Sequence, residues 1–230
     1  MKEDIGALYD KKLHCNICEH VYSSKKLRSR AIRVAESHND FYKEYKNPLH
    51  NPLLYEVYVC DQCGFASTDN FTAIQKQEIK TRFHEEVTHK WHSQSFDGER
   101  TYEKAINTYK LAILTAKKTE QPEIVVAGVC LKLSWLYRYL DDEANTRRFL
   151  TYATKAYETS YNIGDFKATE MTELTLMFIL GESHRQLGNR DLAITYFSKI
   201  IQHKNKHLEP AIVARAREQW QETRQKVESK

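Results

Sequence analysis

Two pairs of cysteines have the residue type and spacing that a metal site requires. Cys15 and Cys18 form one Cys-x-x-Cys pair, and Cys60 and Cys63 form the second. A Cys-x-x-Cys turn lets two thiolates reach the same ion, and two such turns complete the tetrahedral shell that Zn²⁺ prefers. The four cysteines therefore predict one zinc ion. Because four thiolates leave no position open for water or substrate, the site is predicted to be structural rather than catalytic.

The length of chain between the two pairs does not argue against a shared ion. The pairs are separated by 41 residues. Since loop-closure entropy grows only logarithmically, this length costs about 0.7 kcal/mol more than a common spacing, whereas structural zinc contributes about 10–16 kcal/mol in small domains. Two coincidental reduced pairs, or one redox-active dithiol, remain the alternatives. The fifth cysteine, Cys130, lies in an apolar helical run and is predicted to be a core residue.

Composition limits the classes of partner and compartment. With 35 Lys plus Arg against 31 Asp plus Glu, the net charge of +4 is too small to require a nucleic acid or an anionic membrane. No segment approaches the 18 consecutive apolar residues of a membrane span, and the first ten residues lack the apolar stretch of a signal peptide. We therefore expect no membrane partner and a cytoplasmic location, where thiols stay reduced.

The elements that must position the cysteines change character near residue 70. Residues 1–70 hold the cysteine pairs, two prolines and a β-type run over 54–59, and predict a small zinc-ribbon-like domain that contains β-structure. Residues 71–230 predict a second, helical domain, so that the fold class is mainly α. The expected helices cover residues 71–95, 98–118, 122–140, 143–162, 167–187, 190–204 and 208–228.

The clearest helical periodicity lies near the C-terminus. Ala193, Phe197 and Ile200 fall at positions i, i+4 and i+7 and predict one apolar stripe. Gly188 precedes this helix and is typical of a helix C-cap, so the two neighbouring helices should form a hairpin. With Gly181 late in the first helix, this hairpin resembles a tetratricopeptide repeat.

The Ala-x-x-x-aromatic pattern of the hairpin recurs twice upstream. It returns at Ala105 and Tyr109 and again at Ala153 and Tyr157. The intervals of 48 and 40 residues between successive copies exceed the standard 34, which predicts a divergent array of three helix pairs. A last helix beginning near Pro210 would cap the array, because the final repeat otherwise exposes its apolar stripe.

A stacked array of this kind offers a concave surface to a partner. Its first helices are predicted to present aromatic, apolar and charged side chains that suit an extended peptide or a partner helix. These candidate partner-binding residues are Leu131, Trp135, Arg138, Phe178, Glu182 and Arg185. The leading hypothesis is therefore a non-enzymatic, zinc-stabilised scaffold that binds a protein or peptide. A homodimer is compatible with it, since apolar faces at the ends of a short solenoid often pair.

Two alternative functions rest on other residues. The first is a regulator that binds nucleic acid through five basic residues within nine positions; they are Lys25, Lys26, Arg28, Arg30 and Arg33. Residues 1–70 nevertheless hold ten basic and ten acidic residues, so long-range attraction would be weak. The second is a metal-dependent hydrolase in which Glu85, His89 and His92 share one helical face and bind a second metal. For both sets, a solvated polar surface is the favoured interpretation.

No phosphate-binding loop, nucleophile elbow or kinase motif occurs in the sequence. Five stretches of the sequence carry a resemblance to a known family, at 51–60 (NPLLYEVYVC), 63–66 (CGFA), 135–138 (WLYR), 188–189 (GN) and 217–220 (REQW). On these residues the chain resembles the DUF2225 family of bacterial proteins, in which a Cys-x-x-Cys ribbon precedes a tetratricopeptide-like helical region. In the first cysteine turn, Asn16 and Glu19 stand where the family pattern suggests proline and glycine. The resemblance implies a fold and a metal site but no activity.

Overall fold

The structure is a computed structural model that describes residues 6–228. Residues 1–5, which open the segment expected to lack a signal peptide, and residues 229–230 lie outside it. The strands are β1 (Leu8–His14), β2 (Val21–Leu27), β3 (Val34–Ser37), β4 (Lys43–Tyr45), β5 (Tyr58–Val59) and β6 (Ala66–Ser67). The helices are α1 (Gln77–Glu86), α2 (Tyr102–Lys118), α3 (Glu123–Arg138), α4 (Glu143–Ile163), α5 (Glu173–Leu187), α6 (Arg190–Gln202) and α7 (Pro210–Glu228). The predicted mainly α fold with N-terminal β-structure is confirmed.

The strands pair as three antiparallel hairpins, β1 with β2, β3 with β4 and β5 with β6. The β-type run at 54–59 is only partly a strand, because residues 52–55 form a 3₁₀ helix and β5 covers two residues. Asn51 explains the difference: its side chain accepts a hydrogen bond from the Leu53 amide (3.0 Å), and Pro52 occupies the first helical position. Local turn chemistry therefore overrides β-propensity in this segment.

The chain divides into two compact units whose bounds differ from the predicted border at residue 70. The first unit comprises residues 1–37, 43–121 and 135–143, and the second comprises residues 38–42, 122–134 and 144–230, within the described range. Residues 71–121 belong to the first unit because α1 contributes to its core. Ile79, Phe83 and Val87 pack there with the cysteines.

In the first unit, α2 packs on β6 and on the 3₁₀ helix at Pro52–Tyr55. Its contact face consists of Ala105, Tyr109, Ala112 and Ala116, which are all fully buried. The small side chains let the helix approach closely, and the Tyr109 hydroxyl donates a hydrogen bond to Glu56 (3.3 Å). The Ala-x-x-x-aromatic pattern of this helix thus serves the first unit.

In the second unit, α5 and α6 form the predicted hairpin. Gly188 ends α5 in the left-handed conformation (φ 88°), and the Asn189 amide donates to the His184 carbonyl (2.8 Å). Helix α7 packs against α6, and Ala193, Phe197 and Ile200 are fully buried in the shared core. Within residues 6–228, no helix has both the length and the apolar character that crossing a bilayer requires.

Candidate functional site

The two Cys-x-x-Cys turns have the same backbone geometry. In the first, the Cys15 amide donates to the His20 carbonyl (3.0 Å) and the Glu19 amide to the Cys15 carbonyl (3.0 Å). In the second, the Cys60 amide donates to the Phe65 carbonyl (2.8 Å) and the Gly64 amide to Cys60 (2.9 Å). Each turn is therefore closed by hydrogen bonds at equivalent positions, with its two sulfurs on the inside.

The fifth position of each cysteine turn has a left-handed backbone. Gly64 has φ 76°, and Glu19 has φ 61° at the equivalent position. Glutamate is unfavourable in this region because its Cβ crowds the backbone. The first turn nevertheless keeps the same form as the second, since its hydrogen bonds and the β1–β2 hairpin on either side hold it in place.

The four cysteine sulfurs form one cluster whose ligand atoms all lie within 4.8 Å of one another. Cys15 and Cys63 are 3.5 Å apart at Sγ, and Cys18 and Cys60 are 3.6 Å apart. Tetrahedral zinc with Zn–S bonds of about 2.3 Å would separate its sulfurs by about 3.8 Å. The donor set and its spacing therefore fit a metal ion such as zinc, and all four cysteines are free thiols in the structure.

An apolar shell surrounds the sulfurs. Tyr22, Phe65 and Phe83 pack with the cysteines, and Phe65 meets Phe83 edge to face at 5.8 Å between ring centroids. Cys15, Cys60 and Cys63 are buried, and Cys18 is half-buried. Water therefore has little access to the cluster.

Residues after α1 hold the second turn from outside. The Trp91 indole donates to the Asp61 carbonyl (2.7 Å), and the Thr88 hydroxyl donates to the Cys63 carbonyl (3.3 Å). The Trp91 ring lies so close to Gly64 that a Cβ there would come within 2.6 Å of it. Glycine at this position is required by both the positive φ and the indole.

The thiols of the cluster influence one another strongly. Hydrogen bonding from Cys15, and then from Cys63, lowers the pKa of Cys60. The hydrogen bond with Cys60 raises the pKa of Cys15, and that with Cys15 raises the pKa of Cys63. Burial is the main cause of the raised pKa of the neighbouring Tyr22.

The geometric premise of the predicted second metal site at Glu85, His89 and His92 is wrong. Helix α1 ends at Glu86, and His89 lies in a separate 3₁₀ turn over Thr88–Lys90, so the three residues do not share a helical face. Among the described residues, they form no group of ligand atoms close enough for one ion. The reason is local: Val87 bends the chain away and packs into the core around the cysteines.

Ion pairs occupy part of the basic segment. Lys25 pairs with Asp10 (2.7 Å) and Lys26 with Asp69 (3.3 Å), while the Arg28 guanidinium lies 5.1 Å from the ring centroid of Tyr9. The hydrogen bond with Asp10 raises the pKa of Lys25. Arg30 lies in the 3₁₀ turn over Ser29–Ala31 that follows β2, and Arg33 lies two residues after that turn. Nucleic-acid binding by these residues stays a prediction.

The predicted partner-binding residues fall into both units. Leu131, Phe178, Glu182 and Arg185 lie in the second unit, whereas Trp135 and Arg138 lie in the first. Within the second unit, Phe178 and Glu182 are almost completely buried, at 0% and 2% exposure. Glu182 accepts hydrogen bonds from Arg185 (2.5 and 2.9 Å), which raise the pKa of Arg185, and from Gln186 (3.1 Å).

A short segment of the chain itself lies against this part of the second unit. Residues 38–42 form a turn in which Phe41 packs edge to face on Phe178, with 5.6 Å between ring centroids. Leu131 and Glu182 line a small crevice together with Asp40. No periodicity or motif in the sequence indicated this segment, because its contacts are with residues more than 90 positions away.

Sequence reasoning also missed Arg100, which is 3% exposed in the first unit. Its guanidinium donates hydrogen bonds to the carbonyls of Leu54, Val57 and Phe96 and to the Ser24 hydroxyl. Burial lowers its pKa. A lone arginine between a polar loop and a helix gives no signal in the sequence.

Comparison with known proteins identifies the family. No curated protein and no solved structure matches the chain. The family model described as "Uncharacterized protein conserved in bacteria (DUF2225)" matches residues 8–223. The match includes both cysteine pairs and all seven helices, apart from the last residues of α7. The chain therefore belongs to the DUF2225 family.

Proposed function

We propose that this protein is a non-enzymatic, zinc-stabilised scaffold whose second unit binds a short peptide segment of a partner protein. Zinc, held by Cys15, Cys18, Cys60 and Cys63, has a structural role in the proposal, because four thiolates fill its coordination shell. The apolar shell around the sulfurs supports this role, since three of the four cysteines are buried in it.

The observation that carries the proposal is the way in which residues 38–42 pack on α5 and α7 within the second unit. The Phe41 ring packs on Phe178, and the Arg215 guanidinium stacks over the ring at 5.4 Å from its centroid. Gln186 donates a hydrogen bond to the Asp40 carboxylate (3.0 Å). An aromatic anchor with polar contacts beside it is how helical surfaces hold peptides. The surface thus has the chemistry to bind a short segment of another chain.

A selection of random displayed peptides against the full-length protein tests the proposal. We expect enriched peptides to protect amides in α5 and α7 from hydrogen exchange. Arg215→Ala should weaken their binding at least tenfold, whereas Arg217→Ala, which removes an exposed arginine of the same helix, should leave it unchanged. Selection that enriches no peptide, or peptides whose protection lies outside α5 and α7, would contradict the proposal.

A further inference from the structure

The turn at residues 38–42 is held in a conformation that its sequence alone does not favour. Phe41 has φ 66°, and an aromatic residue rarely adopts this left-handed backbone, which costs about 1–2 kcal/mol. The turn is closed by hydrogen bonds from the His38 amide to the Tyr42 carbonyl (2.8 Å), from the Phe41 amide to the His38 carbonyl (3.1 Å) and from the Tyr42 amide to the Asp40 carboxylate (3.3 Å). The contacts of Phe41 with the helices must offset the strain.

Three side chains of α5 and α7 contact the acidic Asp40 and the aromatic Phe41 of this turn. The Phe178 ring packs edge to face with the Phe41 ring, and the Arg215 guanidinium lies over the Phe41 ring. Gln186 donates a hydrogen bond to the Asp40 carboxylate. The hydrogen bond with Glu182, and then the charges of Glu182, Glu222 and Asp40, raise the pKa of Arg185. The surface is therefore aromatic where the ring lies and polar where the carboxylate lies, with Arg185 already paired to Glu182.

Helix α7 also carries a buried side-chain amide, that of Gln219, which takes part in none of these contacts. Gln219 is 1% exposed, and neither its amide nitrogen nor its amide oxygen has a hydrogen-bond partner among the described residues. It lies at i+4 from Arg215, so the two side chains share a face of α7. An unpaired buried amide costs about 1–3 kcal/mol. The turn at residues 38–42 therefore does not satisfy this buried amide.

We propose that the second unit recognises a partner through a tight turn in which an acidic residue directly precedes an aromatic one. The chain's own Asp40–Phe41 pair occupies this site as an internal competitor. The inference rests on the proposed function and names the partner's chemistry. A competitor on the same chain has a high effective concentration, so it lowers the apparent affinity for any external ligand.

The test uses a cyclic peptide that carries residues 36–44, titrated calorimetrically into full-length protein. Phe41→Gly is the decisive variant, because glycine keeps the positive φ while the competing ring is lost. We expect the peptide to bind this variant at least tenfold more tightly than the wild type. Asn39→Ala, at an exposed residue of the same turn, should behave like the wild type. Thermal melting of each variant verifies that it is folded.

Changes in the peptide and in Gln219 sharpen the test. Peptides with Asp40→Asn or Phe41→Ala should bind the Phe41→Gly protein at least tenfold more weakly. Adding Gln219→Met to that protein should leave the affinity for this peptide unchanged, because the turn makes no hydrogen bond with Gln219, and should not lower the melting temperature, since the replacement removes an unsatisfied amide. Equal binding to wild type and Phe41→Gly, or equal binding of the altered peptides, would overturn the inference. If selected peptides without an acidic–aromatic pair still protect α5 and α7, only this inference fails and the proposed function stands.

Discussion

At the scale of single residues, the two cysteine turns offer a matched comparison of glycine and glutamate in one backbone conformation. Glu19 and Gly64 are equivalent, but only Gly64 faces a packed ring. Glu19→Gly should stabilise the metal-loaded protein by about 0.5–1 kcal/mol, because relief of the left-handed strain exceeds the entropy that glycine adds to the unfolded chain. Gly64→Ala should destabilise it by about 2 kcal/mol or more, since its Cβ would also meet Trp91. Urea unfolding of both variants measures the difference, and a stabilising Gly64→Ala would refute the packing described for Trp91.

Arg100 provides a second prediction at this scale. Arg100→Met should destabilise the first unit by about 3 kcal/mol or more, because several buried carbonyls and Ser24 would lose their donor. The matched control is Arg82→Met. Arg82 pairs with the exposed Glu120 (2.7 Å) and donates to the Lys118 carbonyl (3.1 Å), and because water screens such a pair its loss should destabilise the protein much less. If the two variants lost the same free energy of unfolding, the buried hydrogen bonds of Arg100 would not stabilise the first unit as its contacts indicate.

At the scale of elements, the α5–α6 hairpin depends on a close crossing. A Cβ at Gly181 would lie 2.6 Å from the Phe197 ring, whereas at Gly128 of α3 the nearest atom is 4.0 Å away. Gly181→Ala should therefore destabilise the protein by about 1–3 kcal/mol through overpacking. Gly128→Ala should stabilise it by about 0.5–1 kcal/mol, because alanine favours the helix. Thermal melting distinguishes the two, and a neutral Gly181→Ala would mean that the helices tolerate a wider separation.

Elements with a strong local signal were predictable from the sequence. The α5–α6 hairpin follows from the apolar stripe of α6 and the glycine cap, and the cysteine site follows from spacing alone. The helix expected over 71–95 is shorter, since α1 spans Gln77–Glu86 and the residues after it fold back on the second cysteine turn. Contacts of this kind depend on tertiary packing and leave no periodic pattern in the sequence.

At the scale of the whole molecule, the change of composition near residue 70 predicted a single border between two domains, whereas each compact unit of the structure consists of several segments. The compact units are discontinuous in sequence, because α1 completes the core around the cysteines, α2 packs on β6, and residues 38–42 join the second unit. A sequence profile detects a change from cysteine-rich to helix-rich residues. It does not detect that a helix-rich segment is needed to bury the cysteine cluster.

The metal site is the claim on which the architecture of the first unit depends, because its core is built around the four sulfurs. The most direct test is the metal content per chain, measured by elemental analysis of protein purified without a metal-affinity tag. We predict one zinc per chain, its loss in the Cys15→Ser, Cys18→Ser variant, and its retention in Cys130→Ser, which alters a buried cysteine outside the cluster. Absence of metal from the wild type, or one zinc retained without Cys15 and Cys18, would contradict the account.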